Sequence, residues 1–405
     1  MIAGLLSTDE QYSKKFIIFR GYMNLKQRKA NRPKVALLLT GGGARAAYQV
    51  GVLKALALSM PRTAPVPFQI INGTSAGAIN SAALACYASC MHLAVRKIEW
   101  VWKSFQSHMV YRSDFLGSFG YLIANAMRSF QSSHLNHPPA SLLDNSPLRS
   151  LLSQVLDLSR IERNIHKQFI DAISVTVSSY STGRSVAYYQ AKNAETWQRA
   201  KREGVPGRIS LDVLMASSAI PMVFPSVRVK HHYYGDGSIH QLSPLSPSIH
   251  LGAEKIFVIG VEQPKIRAPL GYEPHFPGMS AIAGHLLDSV FSDTLQSDLE
   301  RLHRVNRTIN LLPSKDKHKE LKAIETLVIN PTVNFRDIAE QYYDDMPLAI
   351  KLLMRTLGVK RHSSSSLTSY LLFEKSYTQH LIEIGYQDGM ARLDEIRAFL
   401  DLDDK

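Results

Sequence analysis

Short apolar runs alternate with glycine-rich turns and helical spacing along the first quarter of this chain. The runs Val35–Leu39 and 68–71 are almost purely apolar, which predicts two buried strands. Residues 46–58 then carry apolar side chains at helical spacing, and residues 76–93 form a run rich in Ala and Ser that also predicts a helix. Two strand-helix units in succession favour an α/β fold with a parallel sheet.

Later segments extend the same pattern. Apolar runs at 170–178, 184–189 and 255–260 predict further strands, and 100–168 predicts mostly helix. After about residue 310 the composition changes, because 315–322 is highly charged and the rest has the spacing of amphipathic helices. We therefore expect the end of the chain to be helical.

The chain is long and basic. Its 405 residues are enough for one large α/β domain with a smaller appendage, and 47 Lys and Arg against 34 Asp and Glu favour anionic partners. Residues 1–34 contain eight basic residues and only two acidic ones, Asp9 and Glu10, with aromatic and aliphatic residues between the basic ones. Such a basic arm could contact an anionic membrane or be a solvated tail. No motif supports a nucleic-acid partner.

Cysteine usage and the N-terminal residues bear on the compartment. Cys86 and Cys90 are the only cysteines, which is more typical of packing thiols in a reducing cytoplasm than of a disulfide framework. The first residues lack the positive start of a secretory signal, and the uncharged stretch 63–95 is interrupted by Pro and Gly. We expect a cytoplasmic protein without a signal peptide or a transmembrane helix.

The segment 71–78 carries the strongest chemical signal. Ser75 lies between Gly73 and Gly77 in a G-x-S-x-G string, at the predicted junction of strand and helix. That context is typical of a nucleophile elbow, in which glycines allow a strained turn and close packing of helix on strand. The alternative is an ordinary tight turn with a serine that caps the helix.

A glycine loop follows the first predicted strand. The amides of Gly41, Gly42 and Gly43 would point into one concavity at a helix N-terminus, which suits either a phosphate or a developing oxyanion. The string also satisfies G-x-G-x-x-A, but no acidic residue occurs between Val35 and Arg96, the region in which a dinucleotide site needs one. No Gly-Lys-Ser/Thr follows, which excludes a P-loop.

An acidic residue is available near a later turn. Asp236 lies between Gly235 and Gly237, where its carboxylate could be presented at a strand end. In isolation, an Asp-Gly pair more often marks a simple turn.

Together these motifs resemble the patatin-like phospholipase family. The 41–45 glycine loop, the elbow at Ser75 and the acid turn at Asp236 resemble three family motifs in order, and 216–225 resembles the S-x-A-x-P-x-x-F-P segment ahead of the acid. The resemblance covers about 35–310, and the tail resembles the extension of bacterial members. It implies a three-layer α/β fold with a mainly parallel sheet and a C-terminal helical extension, divided as basic arm 1–34, acyl hydrolase domain 35–313 and extension 314–405.

The resemblance also implies a mechanism. Ser75 and Asp236 would form a dyad without histidine, residues Gly41 to Arg45 would form the oxyanion hole, and Gly73, Gly77 and Gly237 would support the turns. The substrate would be a lipid ester, hydrolysed without cofactor or metal. Arg45 could instead form a structural ion pair. Two positions depart from the family pattern: Ala46 stands where the first motif usually has its last glycine, and Ser238 stands where the third motif has Gly or Ala. Ala46 should be tolerated if its φ is negative.

Two alternatives stay open. The first is an α/β-hydrolase triad, which needs a histidine after Asp236 along the chain. The candidates include His240, His250, His285 and His303. A binding module on a degenerate hydrolase scaffold is the second. The pair His231-His232 could suggest zinc, but no spaced Cys/His set accompanies it.

Overall fold

Ten strands of the described chain form one mixed sheet at the centre of the molecule. The computed structural model describes residues 33–112, 141–262, 282, 288–289, 294–311, 322–356, 359 and 366–403. The strands are β1 (Val35–Leu39), β2 (Ile70–Thr74), β3 (Ala172–Ser179), β4 (Ser185–Ala191), β5 (Trp197–Arg199), β6 (Arg202–Pro206), β7 (Val227–Val229), β8 (His232–Asp236), β9 (Lys255–Ile259) and β10 (Glu325–Ile329).

The first half of this sheet is parallel. Its order is β10-β9-β1-β2-β3-β4-β6-β5, and the pairs from β10 to β3 all run in the same direction. β4 is antiparallel to β3, and β8 is antiparallel to the end of β3 while it also pairs with β7. Because these strands are parallel, their carboxyl ends lie at the same edge of the sheet. Ligands commonly bind at that edge in such folds.

Helices cover both faces of the sheet. They are α1 (Ala47–Leu58), α2 (Ala76–Cys86), α3 (Met91–Lys103), α4 (Ser107–Val110), α5 (Ser146–Val155), α6 (Ser159–His166), α7 (Leu211–Ser217), α8 (Ser246–His250), α9 (Thr294–Leu311), α10 (Phe335–Gln341), α11 (Leu348–Thr356), α12 (Leu367–Leu371), α13 (Lys375–Ala391) and α14 (Leu393–Phe399).

The alternation of side chains along β1 separates two apolar cores. Leu37 and Leu39 belong to the larger core with the helices that follow β1 and β2, whereas Ala36 and Leu38 belong to a smaller core with residues of α9. Successive residues of a strand point to opposite faces, so a fully apolar strand indicates a sheet covered on both sides. The described chain therefore has the predicted three layers.

The second predicted strand and the helix after it end at different residues in the structure than the sequence predicts. β2 runs to Thr74 rather than stopping at 71, because buried Asn72 is satisfied by hydrogen bonds with Ser248 at 2.6 Å and Ser174 at 2.5 Å. The predicted helix 76–93 is wrong in extent: it ends at Cys86, and α3 begins at Met91 after a turn. Cys90 therefore lies outside that helix.

The prediction that residues beyond 313 are purely helical is wrong for one element. Glu325–Ile329 forms β10, a parallel edge strand beside β9. The remaining described residues of this C-terminal region form the helices α10 to α14, and α13 packs along α1, where Gly51 and Gly385 allow close approach of the two backbones. The division of the chain at residue 313 stays a prediction.

Within the described ranges, every helix is too short or too polar to cross a membrane. The basic arm lies outside the described residues apart from its last two positions, and residues 113–130 of the predicted helical region 100–168 also lie outside them.

Candidate active site

Ser75 occupies a strained turn between β2 and α2. Its φ of 55° and ψ of −131° are unusual for a residue with a side chain, and its hydroxyl makes no capping hydrogen bond to the helix. A Cβ on Gly73 would lie 2.5 Å from the Gly77 carbonyl oxygen, and one on Gly77 would lie 2.5 Å from the Thr40 carbonyl oxygen. These features favour the nucleophile elbow over the capped turn.

The backbone of the elbow is held by Ser217 at the end of α7. The Ser75 N–H donates to Ser217 Oγ at 2.9 Å, and this hydroxyl donates to the Thr176 carbonyl at 2.7 Å. Ser217 belongs to the 216–225 motif, and neither its sequence nor the resemblance indicates this role. The same motif holds the acid, because the Asp236 N–H donates to the Ala219 carbonyl at 2.9 Å.

Strand register brings Asp236 to the elbow. On one edge of β3, Thr74 pairs with Thr176 and Asp236 pairs with the next residue, Val177. β2 therefore ends where β8 ends, and the residue after Thr74 is Ser75. A Cβ on Gly237 would lie 2.8 Å from Thr74 Cγ2, so the turn that follows the acid also requires a small residue.

The Asp236 carboxylate is buried with an incomplete set of hydrogen bonds. Oδ1 accepts from the Ser238 N–H at 2.9 Å, whereas Oδ2 has no hydrogen-bond donor among the described residues. Burial raises the pKa of Asp236 to about 6, against smaller lowering effects of the Ser75 hydroxyl and of the amide and hydroxyl of Ser238. Such a group is mostly ionised at neutral pH and is a stronger base than an ordinary carboxylate.

The glycine loop presents free amides beside Ser75. Among the described residues, nothing accepts a hydrogen bond from the successive N–H groups of Gly41 to Ala44. Gly43 has a φ of 55° and lines the same cavity as Ser75. Free amides at this position could bind an oxyanion. Ala46 has the negative φ of −65° that we expected to tolerate a side chain.

Arg45 differs from the rest of this loop. Its N–H donates to the Gly42 carbonyl at 3.1 Å, and its buried guanidinium contacts Asp288 and Ser369. Both groups that could have bound an oxyanion are thus used within the fold, which favours the alternative of a structural ion pair.

An apolar cavity of about 380 Å³ extends from Ser75 between α2, α3 and α5. Side chains of Ile79 and Ala83 line it along α2, and Phe373 closes it from the C-terminal region. Its other walls are mainly aliphatic and aromatic: Ile98, Val101, Trp102, Phe105, Val110, Leu148, Leu152, Ile220 and Phe224.

The described histidines do not complete a triad. His250 stacks on Trp197 with ring centroids 4.9 Å apart, and burial, with Arg199 and Arg202 nearby, lowers its pKa to about 4. His303 is exposed, and His285 lies outside the described residues. The His240 ring forms no hydrogen bond with Ser75 or Asp236 within the part of the chain that the structure describes, and its buried Nδ1 has no partner there. His231 and His232 are exposed, and no group of three or more His, Cys, Asp or Glu within the described ranges could hold a metal.

The chain is similar to known proteins both in sequence and in structure. Residues 37–248, more than half of the chain, match the model of a family described as patatin-like phospholipase. A stretch of 67 residues is 45% identical to lysophospholipase nte1 of Aspergillus terreus, which is 16% of this chain and 4% of that protein. The chain thus spans only a small part of this curated relative.

Two solved structures are similar over most of this chain. Human GIVD cytosolic phospholipase A2, in complex with methyl gamma-linolenyl fluorophosphonate, is 12% identical with a TM-score of 0.42, over 91% of this chain and 59% of its own. VipD from Legionella pneumophila is 14% identical with a TM-score of 0.32, over 90% of this chain and 67% of its own.

Proposed function

Because this chain belongs to the patatin-like phospholipase family, we propose that it is a serine acyl hydrolase that cleaves carboxylic esters of lipids. Ser75 is the nucleophile and Asp236 is its base. The observation that carries the proposal is the pairing of Ser75 with Asp236. Ser75 has a strained backbone and a hydroxyl that does not cap the helix, and the buried Asp236 carboxylate has an Oδ2 without a donor among the described residues. The apolar cavity begins at the same serine.

The first half of the reaction acylates the serine. Asp236 accepts the hydroxyl proton of Ser75 while Oγ attacks the ester carbonyl carbon, and the carbonyl electron pair moves onto oxygen. Amides of Gly41 to Ala44 then stabilise the oxyanion. When this intermediate collapses, the alcohol leaves with the proton from Asp236. The pKa of about 6 supports this role, because the carboxylate is ionised at neutral pH and yet basic enough to take a proton.

The second half releases the acid. A water molecule gives a proton to Asp236 as its oxygen attacks the acyl carbon, and the new oxyanion is stabilised by the same amides. Ser75 Oγ then leaves with that proton. No histidine is needed at any step.

The cavity supports an acyl chain as the bound part of the substrate. Ser75, Ile79, Ala83 and Tyr87 follow one line along α2 and its end, a distance of about 18 Å at the rise of an α-helix. An apolar channel of that length suits a long fatty acyl chain. We propose phospholipids or lysophospholipids as the ester class, with the basic arm 1–34 in contact with an anionic membrane.

A fluorophosphonate probe tests the nucleophile. Wild-type protein should react with loss of fluoride and form a covalent bond at Ser75, seen by intact mass and peptide mapping, while Ser75→Ala should not react. Ser81→Ala is a matched control, because Ser81 is a buried serine of α2, the helix that follows Ser75, and its hydroxyl donates to the Asn72 carbonyl at 3.0 Å. It should be labelled like wild type.

Release of free fatty acid from defined phospholipid, lysophospholipid and triglyceride substrates then tests the ester class. An unlabelled wild-type Ser75 at high protein concentration would favour a binding module on this scaffold and contradict the proposal.

A further inference from the structure

The glycine loop is covered by a helix from the far end of the chain. α12 lies against Gly43, where an added Cβ would meet the backbone of Tyr370, with its carbonyl carbon at 3.2 Å. Because Gly43 makes no hydrogen bond through its N–H to the described residues, its position depends on contacts of this kind. The C-terminal helix is therefore in place to fix the loop.

Arg45 fastens the same helix to the loop. Its Nε and Nη2 donate to Ser369 Oγ at 2.9 Å and 2.7 Å, and its guanidinium carbon lies 3.8 Å from the centre of the Tyr370 ring. Nη1 donates to Asp288 at 3.1 Å, and the Tyr370 hydroxyl donates to the same carboxylate oxygen at 3.0 Å. These contacts hold both the head and the face of the guanidinium.

The arginine is buried as well as hydrogen-bonded. Arg45 is 0% exposed and Ser369 is also fully buried, and Ser369 Oγ donates onward to the Ser366 carbonyl at 2.6 Å. A buried guanidinium with its donors occupied is costly to move, since each lost partner leaves a donor unsatisfied. The contacts of Arg45 therefore hold the C-terminal end of the glycine loop against α12.

We propose that Arg45 is a positioning residue that ties the oxyanion loop to α12, so that the C-terminal region completes the active site. The inference rests on the proposed function, because it assigns a role to the loop that serves Ser75. It predicts that contacts made by residues 369–370 set the rate of acylation although these residues do not touch the substrate ester.

Ser369→Ala is the direct test, and Tyr48→Phe is its matched control. Tyr48 lies on α1 and donates to Asp388 of α13 at 3.0 Å, so its variant also loses a buried hydrogen bond between the loop side and the C-terminal region. We expect Ser369→Ala to lower the fluorophosphonate labelling rate and kcat by about tenfold, part of the loss seen when an oxyanion donor is removed. KM and the pH midpoint near 6 should stay unchanged. Tyr48→Phe should keep the wild-type rate with a similar loss of Tm.

A milder variant covers the case in which Ser369→Ala does not fold. Asp288 has a side chain that is 38% exposed, so Asp288→Asn removes the ion pair at little cost to folding, and we expect a smaller fall in kcat in the same direction. Wild-type rates in both variants would overturn the inference, as would an equal loss of rate in Tyr48→Phe. If wild-type Ser75 is not labelled, the proposed function fails first and the inference fails with it.

Discussion

Asp236 and Arg45 are both fully buried charged residues of the candidate site, but they differ in how many of their polar atoms have hydrogen-bond partners. The Arg45 guanidinium has a partner on each nitrogen, and the Tyr370 ring covers its face. The Asp236 carboxylate keeps one oxygen without a donor among the described residues, and its pKa is raised. Removal of a partner from a fully hydrogen-bonded buried charge destabilises the fold. A buried charge that lacks a hydrogen bond has a shifted pKa, which is typical of groups that take part in catalysis.

The largest expected effect separates these roles at Asp236. Asp236→Asn removes the base and should lower ester hydrolysis by about 10³-fold or more, within the range for a lost general base acting with a nucleophile. The fold should persist, because the amide keeps the size of the side chain and removes a buried charge. Fatty acid release and circular dichroism measure the two quantities. Activity near the wild-type level would show that another group deprotonates Ser75.

The stability of the same variant gives a second contrast. The pKa of Asp236 is raised in the folded state from an ordinary value of 3.8 to about 6, so wild-type protein loses stability as the pH rises through this window. At pH 7 the loss is about 3 kcal/mol, and Asp236→Asn should recover part of it. Urea unfolding between pH 4 and pH 7 measures this. A variant that is less stable than wild type at pH 7 would contradict the assignment of a destabilising charge.

The opposite result is expected at the satisfied charge. Arg45→Met keeps much of the side-chain volume but removes the hydrogen bonds to Ser369 and the ion pair with Asp288. We expect the free energy of unfolding to fall by about 2 kcal/mol, less than for a wholly buried pair because Asp288 is partly exposed. Urea unfolding at pH 7 gives the value directly. Unchanged stability in this variant would remove the contrast between the two charges.

Ser217 tests whether the elbow depends on its backbone anchor. Ser217→Ala leaves the Ser75 N–H without its acceptor at 2.9 Å and should lower kcat by about tenfold, since a displaced nucleophile loses near-attack geometry. Ser81→Ala again serves as the control, because it removes the buried hydrogen bond of 3.0 Å from Ser81 Oγ on α2 to the Asn72 carbonyl. Steady-state kinetics on one ester compares them. Equal rates in the two variants would make Ser217 a merely structural residue.

The smallest effect involves neither charge. Ala83 lines the cavity two turns along α2 from Ser75, so Ala83→Phe should shorten the channel. Hydrolysis of long-chain esters should fall by several-fold while short-chain esters keep the wild-type rate, because only long chains reach this depth. A chain-length series of ester substrates measures the change. An equal loss for all chain lengths would mean that the channel does not hold the acyl chain.

The sequence predicted those parts of the fold that have a local cause. Val35–Leu39 is a buried parallel strand and therefore appears as a continuous apolar run, and the glycines around Ser75 mark the elbow. The break between Cys86 and Met91 has no Gly or Pro to mark it, and β10 is a short edge strand between charged stretches. Such elements depend on tertiary contacts rather than on local pattern.

The site was predictable only as separate motifs. The approach of Asp236 to Ser75 depends on two strands that share one edge of β3 in adjacent register, and register between distant strands cannot be deduced from one sequence. The role of Arg45 depends on Ser369, which lies 324 positions away along the chain. The anchor Ser217 was visible as part of a motif, but its hydrogen bond to the elbow was not.

In the proposed mechanism Asp236 alone deprotonates Ser75, and the decisive experiment is the pH dependence of fluorophosphonate labelling. Wild-type labelling should rise through a single ionisation near pH 6 and be about tenfold slower at pH 5. The same midpoint should remain in His240→Gln and disappear in Asp236→Asn. A midpoint that persists in Asp236→Asn, or is lost in His240→Gln, would show that a group other than Asp236 deprotonates Ser75.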